Sequence, residues 1–216
     1  LKINYILTDD KYKTFQNSDV IIDFTTPEST NENLLAATQY NKPLVIGTTG
    51  LSREIEDLII KSSKKIPIIQ SANMSVGVNI LFKLIENVSM ILKAEEYDAE
   101  IYEIHHKYKI DSPSGTALAL GHIIANTRNV NFDEKKVFDR VAKKIGKKTG
   151  DIDFSVSRAG ETAGEHKVSF IGDNDQLEII HKAKNRLIFV NGAIQAALWL
   201  VNQKPGIYSM KEVLGI

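Results

Sequence analysis

The sequence contains no cysteine. This absence excludes disulfide bonds, metal sites built from thiolates, and enzymes that use a cysteine nucleophile. The sequence also has no apolar run long enough to cross a bilayer, and its N-terminus has no signal-peptide pattern. We therefore expect a cytoplasmic protein that has no membrane partner.

The chain has no net charge either, because 27 Lys and Arg residues balance 27 Asp and Glu residues. A large nucleic-acid interface would require a basic excess, so we expect no nucleic-acid partner. The cluster of Lys143, Lys144, Lys147 and Lys148 is typical of a solvated loop. The length of 216 residues suits one large domain or two small ones.

Short apolar runs alternate with helical patterns in the first third of the chain. Buried strands are predicted at 19–24, 42–50 and 66–73, a further strand at 1–8, and helices at 28–40 and 51–65. The continuous apolar runs are typical of strands that are buried on both faces of a parallel sheet. The alternation predicts βαβ units whose strands all end at one edge of the sheet.

The pattern changes after a long apolar helix that is predicted at 75–94. A strand is predicted at 99–106, a helix at 114–126, short strands at 154–160, 165–172, 176–183 and 186–192, and a helical tail at 191–205. This half therefore predicts a mixed or antiparallel sheet with a helix packed on it. The two patterns together predict a nucleotide-binding type of α/β domain followed by an α+β domain.

Three segments follow the predicted parallel strands, where open sheets bind their ligands. They are Asp23-Phe24-Thr25-Thr26-Pro27, Gly47-Thr48-Thr49-Gly50 and Ser71-Ala72-Asn73. Glycines allow the backbone to approach a ligand closely, and threonine hydroxyls and free amides suit a ribose, a phosphate or a carboxamide. One Gly-Thr turn alone is usually only a turn, but three such strand ends together favour a dinucleotide site.

The usual G-x-G-x-x-G fingerprint for dinucleotides is absent. If the chain starts at the second strand of the fold, that fingerprint lies upstream of Leu1, and Asp9 and Asp10 end the second strand. An acidic residue there typically binds the ribose hydroxyls of NAD and repels the extra phosphate of NADP. The alternative is a solvated turn. If Asp9 and Asp10 do end the second strand, we expect NADH or NADPH as cofactor, with a preference for NADH.

A second group of polar residues lies between a predicted strand and a predicted helix. His105 and His106 end the strand, Lys109 follows in the loop, and Ser114 is a natural N-cap for the helix. A helix N-terminus presents unpaired N–H groups and the positive end of a dipole, and Gly115 and Thr116 extend this potential anion site. Since histidine carries a proton near neutral pH, the segment combines an anion cradle, a cation and a titratable acid.

Simpler interpretations of these residues exist. A single histidine is more often structural than catalytic, and an N-cap serine is usually only a cap. The adjacent His105 and His106 point to opposite faces of a strand and have no carboxylate cluster to complete a coordination shell, so we expect no metal site. His122, His166 and His181 are interpreted as structural, although His166 follows Arg158 in the sequence and could lie near the site.

The segment HHKYKIDSPSGTA closely resembles the signature of the 4-hydroxy-tetrahydrodipicolinate reductase family, also called dihydrodipicolinate reductase. DFTTPEST, VIGTTG, SANMSVGVN, SRAGETAGEH, LEIIHKA and NGAIQAALWL resemble further blocks of that family in order, so the resemblance covers essentially the whole chain. It implies the NAD(P)H-dependent reduction of a cyclic dicarboxylate in diaminopimelate and lysine biosynthesis. Aspartate-semialdehyde dehydrogenase needs a cysteine that this chain lacks, and homoserine dehydrogenase lacks this signature.

The resemblance also implies roles for individual residues. His105 matches the catalytic acid and Lys109 the lysine that assists catalysis and holds a substrate carboxylate, while His106, Ser114, Gly115 and Thr116 match substrate-binding positions. Phe24, Thr25, Gly47, Thr48, Thr49, Ala72 and Asn73 match the regions that contact the cofactor, and Asp9 joins them by the argument above.

The family's architecture implies two domains and a homotetramer. We expect residues 1–74 and 193–216 to form a Rossmann-like dinucleotide-binding domain, and 75–192 to form an α+β domain that binds substrate and builds the tetramer through a mixed sheet. The family's first strand and its Gly-rich turn are missing from this sequence, for which we favour truncation or disorder. The alternative is a non-catalytic remnant that binds a dicarboxylate but no cofactor.

Overall fold

The computed structural model describes residues 7–140, 144 and 146–216 of the chain. These residues divide into two compact units. The first extends to Val76 and resumes with Phe189–Ile216, and the second is Gly77–Ile188. The expected boundaries near residues 74 and 193 lie close to these, and the functional assignment of each domain stays a prediction. The strand expected at 1–8 and the lysine at 143 lie outside or partly outside the described residues.

The first unit contains a parallel sheet of four short strands in the order β1-β2-β3-β9. The strands are β1 (Ile21–Asp23), β2 (Leu44–Ile46), β3 (Pro67–Gln70) and β9 (Gly206–Tyr208). Ile21 pairs with Leu44, and Leu44 pairs with Ile68, so the first three strands end at the same level. This confirms the predicted parallel sheet and brings the three polar segments that follow its strands to one edge.

Five helices of the described residues pack with these strands in the first unit, apart from the first two residues of α7. They are α1 (Lys11–Asn17), α2 (Pro27–Gln39), α3 (Arg53–Ser62), α7 (Leu187–Leu200) and α8 (Met210–Leu214). Helix α2 begins after the N-cap Thr26, whose side chain accepts from the Ser29 amide, and Pro27 fits its first turn. In α7, Gly192 lies so close to the Met74 carbonyl that an added Cβ would overlap it, and Ala193, Ala196 and Ala197 complete this close packing.

The second unit is built on a mixed sheet of five strands in the order β5-β6-β4-β7-β8. The strands are β4 (Asp98–His105), β5 (Lys136–Val137), β6 (Ile152–Arg158), β7 (Gly164–Ile171) and β8 (Gln176–Ala183). Strand β4 lies at the centre, parallel to β6 and antiparallel to β7. Alternate residues of β4 are buried, beginning with Ala99 and Ile101 and ending with Glu103 and His105.

Helices α4 (Val76–Ile91), α5 (Gly115–Thr127) and α6 (Phe132–Lys135) belong to this unit, apart from the first residue of α4. Leu81 and Ile85 of α4 and Leu120 and Ile124 of α5 share one buried cluster with Ile101 of β4. Burial of such side chains is the main favourable contribution to folding, at about 25 cal/mol per Å² of apolar surface. The expected mixed sheet with a helix packed on it is therefore confirmed.

Two expectations about local structure are wrong. Residues 186–192 were expected to form a strand because RLIFVNG is apolar and β-branched, but Leu187 begins α7 instead. Lys147 does not extend into solvent from a loop, since it pairs with Glu100 and with Asp153 at 2.9 Å. Among the helices of the described residues, none is long and apolar enough to span a membrane.

Candidate active site

The carboxyl edge of the parallel sheet brings together most of the residues expected to bind the cofactor. The Thr25 amide donates to the Thr48 hydroxyl at 3.0 Å, so the segments after β1 and β2 are joined directly. The Ser71 amide donates to the Ile46 carbonyl at 3.2 Å, which joins the segment after β3 to the same edge. Three strand ends therefore form one continuous edge, as the sequence predicted.

Gly47 is the point of closest approach at this edge. A Cβ at position 47 would overlap the ring of Phe24, which is itself half exposed at 51%. Beneath it, the buried carboxylate of Asp23 accepts the Thr25 hydroxyl at 2.6 Å through Oδ1, while its Oδ2 has no hydrogen-bond partner within the described residues. This edge fits a polar, flat ligand such as a nicotinamide nucleotide. Gly47 has no side chain in the way, the ring of Phe24 is exposed, and Oδ2 of Asp23 can still accept a hydrogen bond.

The other expected cofactor residues lie around this edge. Thr49 and Ala72 are exposed, and Asn73 is half-buried with its side-chain oxygen accepting from the Ser75 amide at 2.9 Å. Asp9 is exposed and lies just before Asp10, which caps α1. Lys11 pairs with Glu32 in the second turn of α2 at 2.6 Å. The start of α1 therefore lies toward the edge where β1 ends.

In the second unit, His105 lies at the end of the central strand β4 and is only 9% exposed. Its Nδ1 is hydrogen-bonded to Oε2 of Glu103, which lies two residues earlier on the same face of the strand. Oε1 of Glu103 accepts from the Ser114 amide at 2.9 Å and from Nη2 of Arg158 at 3.0 Å. A fully buried carboxylate is thus paired with three donors.

Ser114 caps helix α5 as the sequence predicted. Its hydroxyl accepts from the Ala117 amide at 3.2 Å and lies 3.1 Å from Nε2 of His166. Gly115 is exposed and Thr116 is half-buried, so the first turn of α5 is open to an anion. The structure therefore brings His105, Ser114 and the start of α5 together around Glu103.

The loop between β4 and α5 carries the two remaining expected residues. Lys109 pairs with Asp111 at 2.7 Å, and Arg158 donates to the backbone carbonyls of both residues, which ties the loop to β6. His106 is the first residue of this loop and lines an open cavity of about 410 Å³ with Tyr108, Lys184 and Arg186. The ring centroids of His106 and Tyr108 are 6.3 Å apart.

Sequence reasoning missed Glu103 and Arg158 and undervalued His166. His166 lies on β7 with its ring centroid 5.1 Å from that of His105, so it belongs to the site. Register explains the cluster, because Glu103 is paired with His166 and His105 with Arg158 across neighbouring strands. The sequence contained one signal for this cluster. Glu103 is a charged residue at a position that the alternating pattern of the strand predicts to be buried.

The surroundings shift the pKa values of two of these groups in ways that define their charges. Burial raises the pKa of Glu103, but hydrogen bonds from His105, Arg158 and the Ser114 amide outweigh it and lower the pKa to about 2. Burial, aided by the charges of His105, His181 and Lys109, lowers the pKa of His166 to about 4. At neutral pH, Glu103 is therefore ionised and His166 is neutral.

Glu103, His105 and His166 also have ligand atoms within 4.8 Å of one another, which is close enough for a metal ion. Each of these side chains already has a partner: Glu103 has three donors, His105 has Glu103, and His166 has the Ser114 hydroxyl. A cation would also meet the guanidinium of Arg158, 3.0 Å from Glu103. The geometry favours a hydrogen-bonded acid site over a metal centre, and the absence of a metal stays a prediction.

Comparison with known proteins gives matches over almost the entire chain. Residues 1–74 match the family model for the N-terminus of dihydrodipicolinate reductase, and residues 77–214 match the model for its C-terminus. A curated relative, the 4-hydroxy-tetrahydrodipicolinate reductase of Magnetococcus marinus, is 41% identical over 214 residues. The match covers 99% of this chain and 80% of the relative.

Solved structures agree with this result. A dipicolinate-bound dihydrodipicolinate reductase from Paenisporosarcina sp. TG-14 is similar with a TM-score of 0.65 at 26% identity, over 90% of this chain and 72% of that one. A probable dehydrogenase from Thermotoga maritima matches 95% of this chain and 77% of its own length, with a TM-score of 0.55. At 10% identity, that second likeness shows the fold alone.

Proposed function

The chain belongs to the dihydrodipicolinate reductase family, and from that premise we propose that it reduces 4-hydroxy-tetrahydrodipicolinate to tetrahydrodipicolinate in diaminopimelate and lysine biosynthesis. It is an oxidoreductase that uses a nicotinamide cofactor. The observation that carries the proposal is the cluster of His105, Ser114 and the open first turn of α5 around Glu103. This cluster combines a proton donor with an anion cradle, which is what the reduction of a cyclic dicarboxylate requires.

Each expected residue has a role in this proposal. The first turn of α5, with Ser114, Gly115 and Thr116, binds one carboxylate of the substrate, and Lys109 adds a positive charge to it. His106 contacts the substrate from the neighbouring cavity. His105 donates a proton through Nε2 as the ring is reduced, because its Nδ1 is engaged by Glu103.

The cofactor would supply the hydride when it is bound, and the 4-hydroxyl group of the substrate leaves as water. Phe24, Thr25, Gly47, Thr48, Thr49, Ala72 and Asn73 would hold it at the carboxyl edge of the parallel sheet. Asp9 supports a preference for NADH, because it is exposed and an acidic residue that follows the second strand of such a fold would repel the 2′-phosphate of NADPH.

The proposal is tested by following the oxidation of NADH and of NADPH by the purified chain. The substrate is formed freshly from pyruvate and aspartate semialdehyde, and the control reaction omits the semialdehyde. Oxidation that depends on the semialdehyde and is faster with NADH supports the function and the cofactor preference. A folded chain that oxidises neither cofactor would instead favour a dicarboxylate-binding protein without reductase activity.

We also propose that the chain forms a homotetramer through the mixed sheet. Ile171 and Ile180 are exposed at 37% and 45%, and they line a shallow cavity of about 470 Å³ with Tyr102 on one face of the sheet. Exposed apolar side chains on an open sheet face suit burial against a second copy. Sedimentation equilibrium tests this, since a mass of four chains supports it and a monomer contradicts it. The cytoplasmic location remains a prediction.

A further inference from the structure

Glu103 is a charged residue at a position where the strand pattern calls for an apolar one. It follows Ala99 and Ile101 on the buried face of β4, and its exposure is 0%. Burying a carboxylate is costly unless donors compensate for the lost water. An apolar side chain would satisfy packing at this position without that cost, so the presence of a carboxylate calls for a reason other than folding.

The three donors to Glu103 come from three different parts of the second unit. His105 belongs to β4, Arg158 to β6, and the amide of Ser114 to the start of α5. We propose that Glu103 is a positioning residue for the reduction, which orients the imidazole of His105 and fixes it relative to the anion cradle at the start of α5. This inference rests on the proposed function, because it assumes that His105 donates the proton.

The first consequence concerns the tautomer of His105. Because Glu103 is ionised, its Oε2 can only accept a hydrogen bond, so Nδ1 of His105 must carry a proton. The proton that is gained and lost therefore resides on Nε2. That atom faces Gly164, where an added Cβ would lie 2.9 Å away, and the φ of +152° at this position favours glycine. The bare backbone at Gly164 leaves room beside the reactive nitrogen.

The second consequence concerns distance. The oxygen of Glu103 that bonds the Ser114 amide belongs to the same carboxylate that holds His105. A substrate carboxylate at the first turn of α5 is thereby set at a fixed distance from Nε2 of His105. Such fixed placement is the basis of proximity effects in catalysis, in which small displacements have large effects on rate.

Several charged or titratable groups surround His105. Glu103 lies on its own strand, Arg158 lies opposite on β6, and His166 lies opposite Glu103 on β7. Lys109 extends from the following loop and pairs with Asp111. Among these groups, Glu103 is the anion that bonds the ring directly, so its removal should release the ring from its fixed orientation.

The test is Glu103→Gln, which keeps the shape of the side chain and removes its charge. We expect kcat to fall roughly 10²-fold, at the low end of the effect of a general acid. We also expect the pH dependence of kcat to change, because the ring of His105 loses the carboxylate that bonds its Nδ1. Glu86→Gln is the matched control, since Glu86 pairs with Lys83 on α4 of the same unit, and it should leave both quantities unchanged.

Nitrogen NMR of the imidazole provides a readout that does not depend on activity. In the unsubstituted chain, Nδ1 of His105 should carry a proton at neutral pH, because it is the donor to Glu103. This measurement also covers the case in which Glu103→Gln does not fold. A proton on Nε2 with a bare Nδ1 would overturn the inference, as would unchanged kcat and pH dependence in a folded Glu103→Gln variant.

The two proposals fail in distinguishable ways. If the unsubstituted chain oxidises neither cofactor, the proposed function fails, while the NMR result still reports whether Glu103 orients His105. If the chain is active and Glu103→Gln retains its full rate and pH profile, the reductase function stands and the positioning role is refuted.

Discussion

At the scale of single residues, the site gathers His105, Ser114 and Arg158 around one buried carboxylate, and we propose that it combines a proton donor with an anion cradle. Sequence alone could predict His105, Lys109 and Ser114, because their residue types and spacing suggest an acid and an anion site. It could not predict the cluster with Arg158 and His166, which arises from strand register across β6, β4 and β7. Residues 53 and 61 positions away from His105 meet it only after the sheet forms.

Replacing Lys109 tests substrate binding at the scale of a single residue. Replacement by alanine removes a cation from the loop beside the start of α5, and we expect kcat/KM to fall roughly 10–100-fold, mainly through a higher KM. The magnitude follows from a lost hydrogen bond to a charged group, about 1.5–3 kcal/mol. Steady-state kinetics with varied substrate measure it.

Lys107→Ala is the control, because Lys107 is an exposed lysine of the same loop whose ammonium lies over the ring of Tyr108. It should change KM far less than Lys109→Ala. Equal effects of the two substitutions would mean that general loop charge, and not Lys109, attracts the substrate.

At the scale of elements, the periodicity of the sequence predicted most strands and helices correctly. The first three strands of the parallel sheet, the central β4 and helices α2 to α5 follow the expected patterns, whereas β9 was not predicted. The failure at 186–192 has a physical reason. RLIFV has the composition of a strand, but the residues that decide the packing come later, where Gly192, Ala193 and Ala196 allow α7 to approach the Met74 backbone closely.

Ser114 provides a test at the scale of elements, because it caps helix α5 and is also the first residue of the proposed anion cradle. Ser114→Ala removes the cap, and we expect a loss of about 1 kcal/mol in the free energy of unfolding. It also removes a hydroxyl from the proposed anion cradle, so a cyclic dicarboxylate, for which dipicolinate serves as the probe, should bind more weakly. Urea denaturation and calorimetric titration with dipicolinate measure the two effects.

Ser209→Ala is the matched control, since Ser209 caps α8 in the first unit with a complete capping box. It should lower stability to a similar degree and leave dipicolinate affinity unchanged. Unaltered dipicolinate affinity in Ser114→Ala would show that Ser114 acts only as a helix cap.

At the scale of the whole molecule, the sequence predicted two domains from the change between parallel and mixed strand patterns. The structure divides the chain in the same manner, with a separate buried core in each unit. The site in the second unit carries a cost in acid, where its buried carboxylate and its buried neutral histidine must both bind protons.

This cost predicts acid sensitivity. The folded pKa of His166 is lowered to about 4 from 6.5, so the unfolded chain binds the proton first and stability falls as pH drops from 6.5 to 4. The pKa of Glu103 is lowered to about 2 from 4.5, so its contribution is lost as pH falls from 4.5 toward 2. Each group accounts for on the order of 3 kcal/mol.

Urea denaturation at a series of pH values measures this dependence. His166→Gln should flatten the slope between pH 6.5 and 4, whereas His122→Gln should not, because His122 is exposed on α5 and stacks on Phe132. A slope that persists unchanged in His166→Gln would assign the acid sensitivity to other groups.

The most direct test of the account is the rate of cofactor oxidation by His105→Gln, with His122→Gln as the matched control. Loss of a positioned general acid lowers kcat roughly 10²–10⁴-fold, and KM should change little because the anion cradle at α5 is intact. The account predicts this loss in His105→Gln and a normal rate in His122→Gln. A normal rate in His105→Gln would contradict it, since the proton would then come from another group.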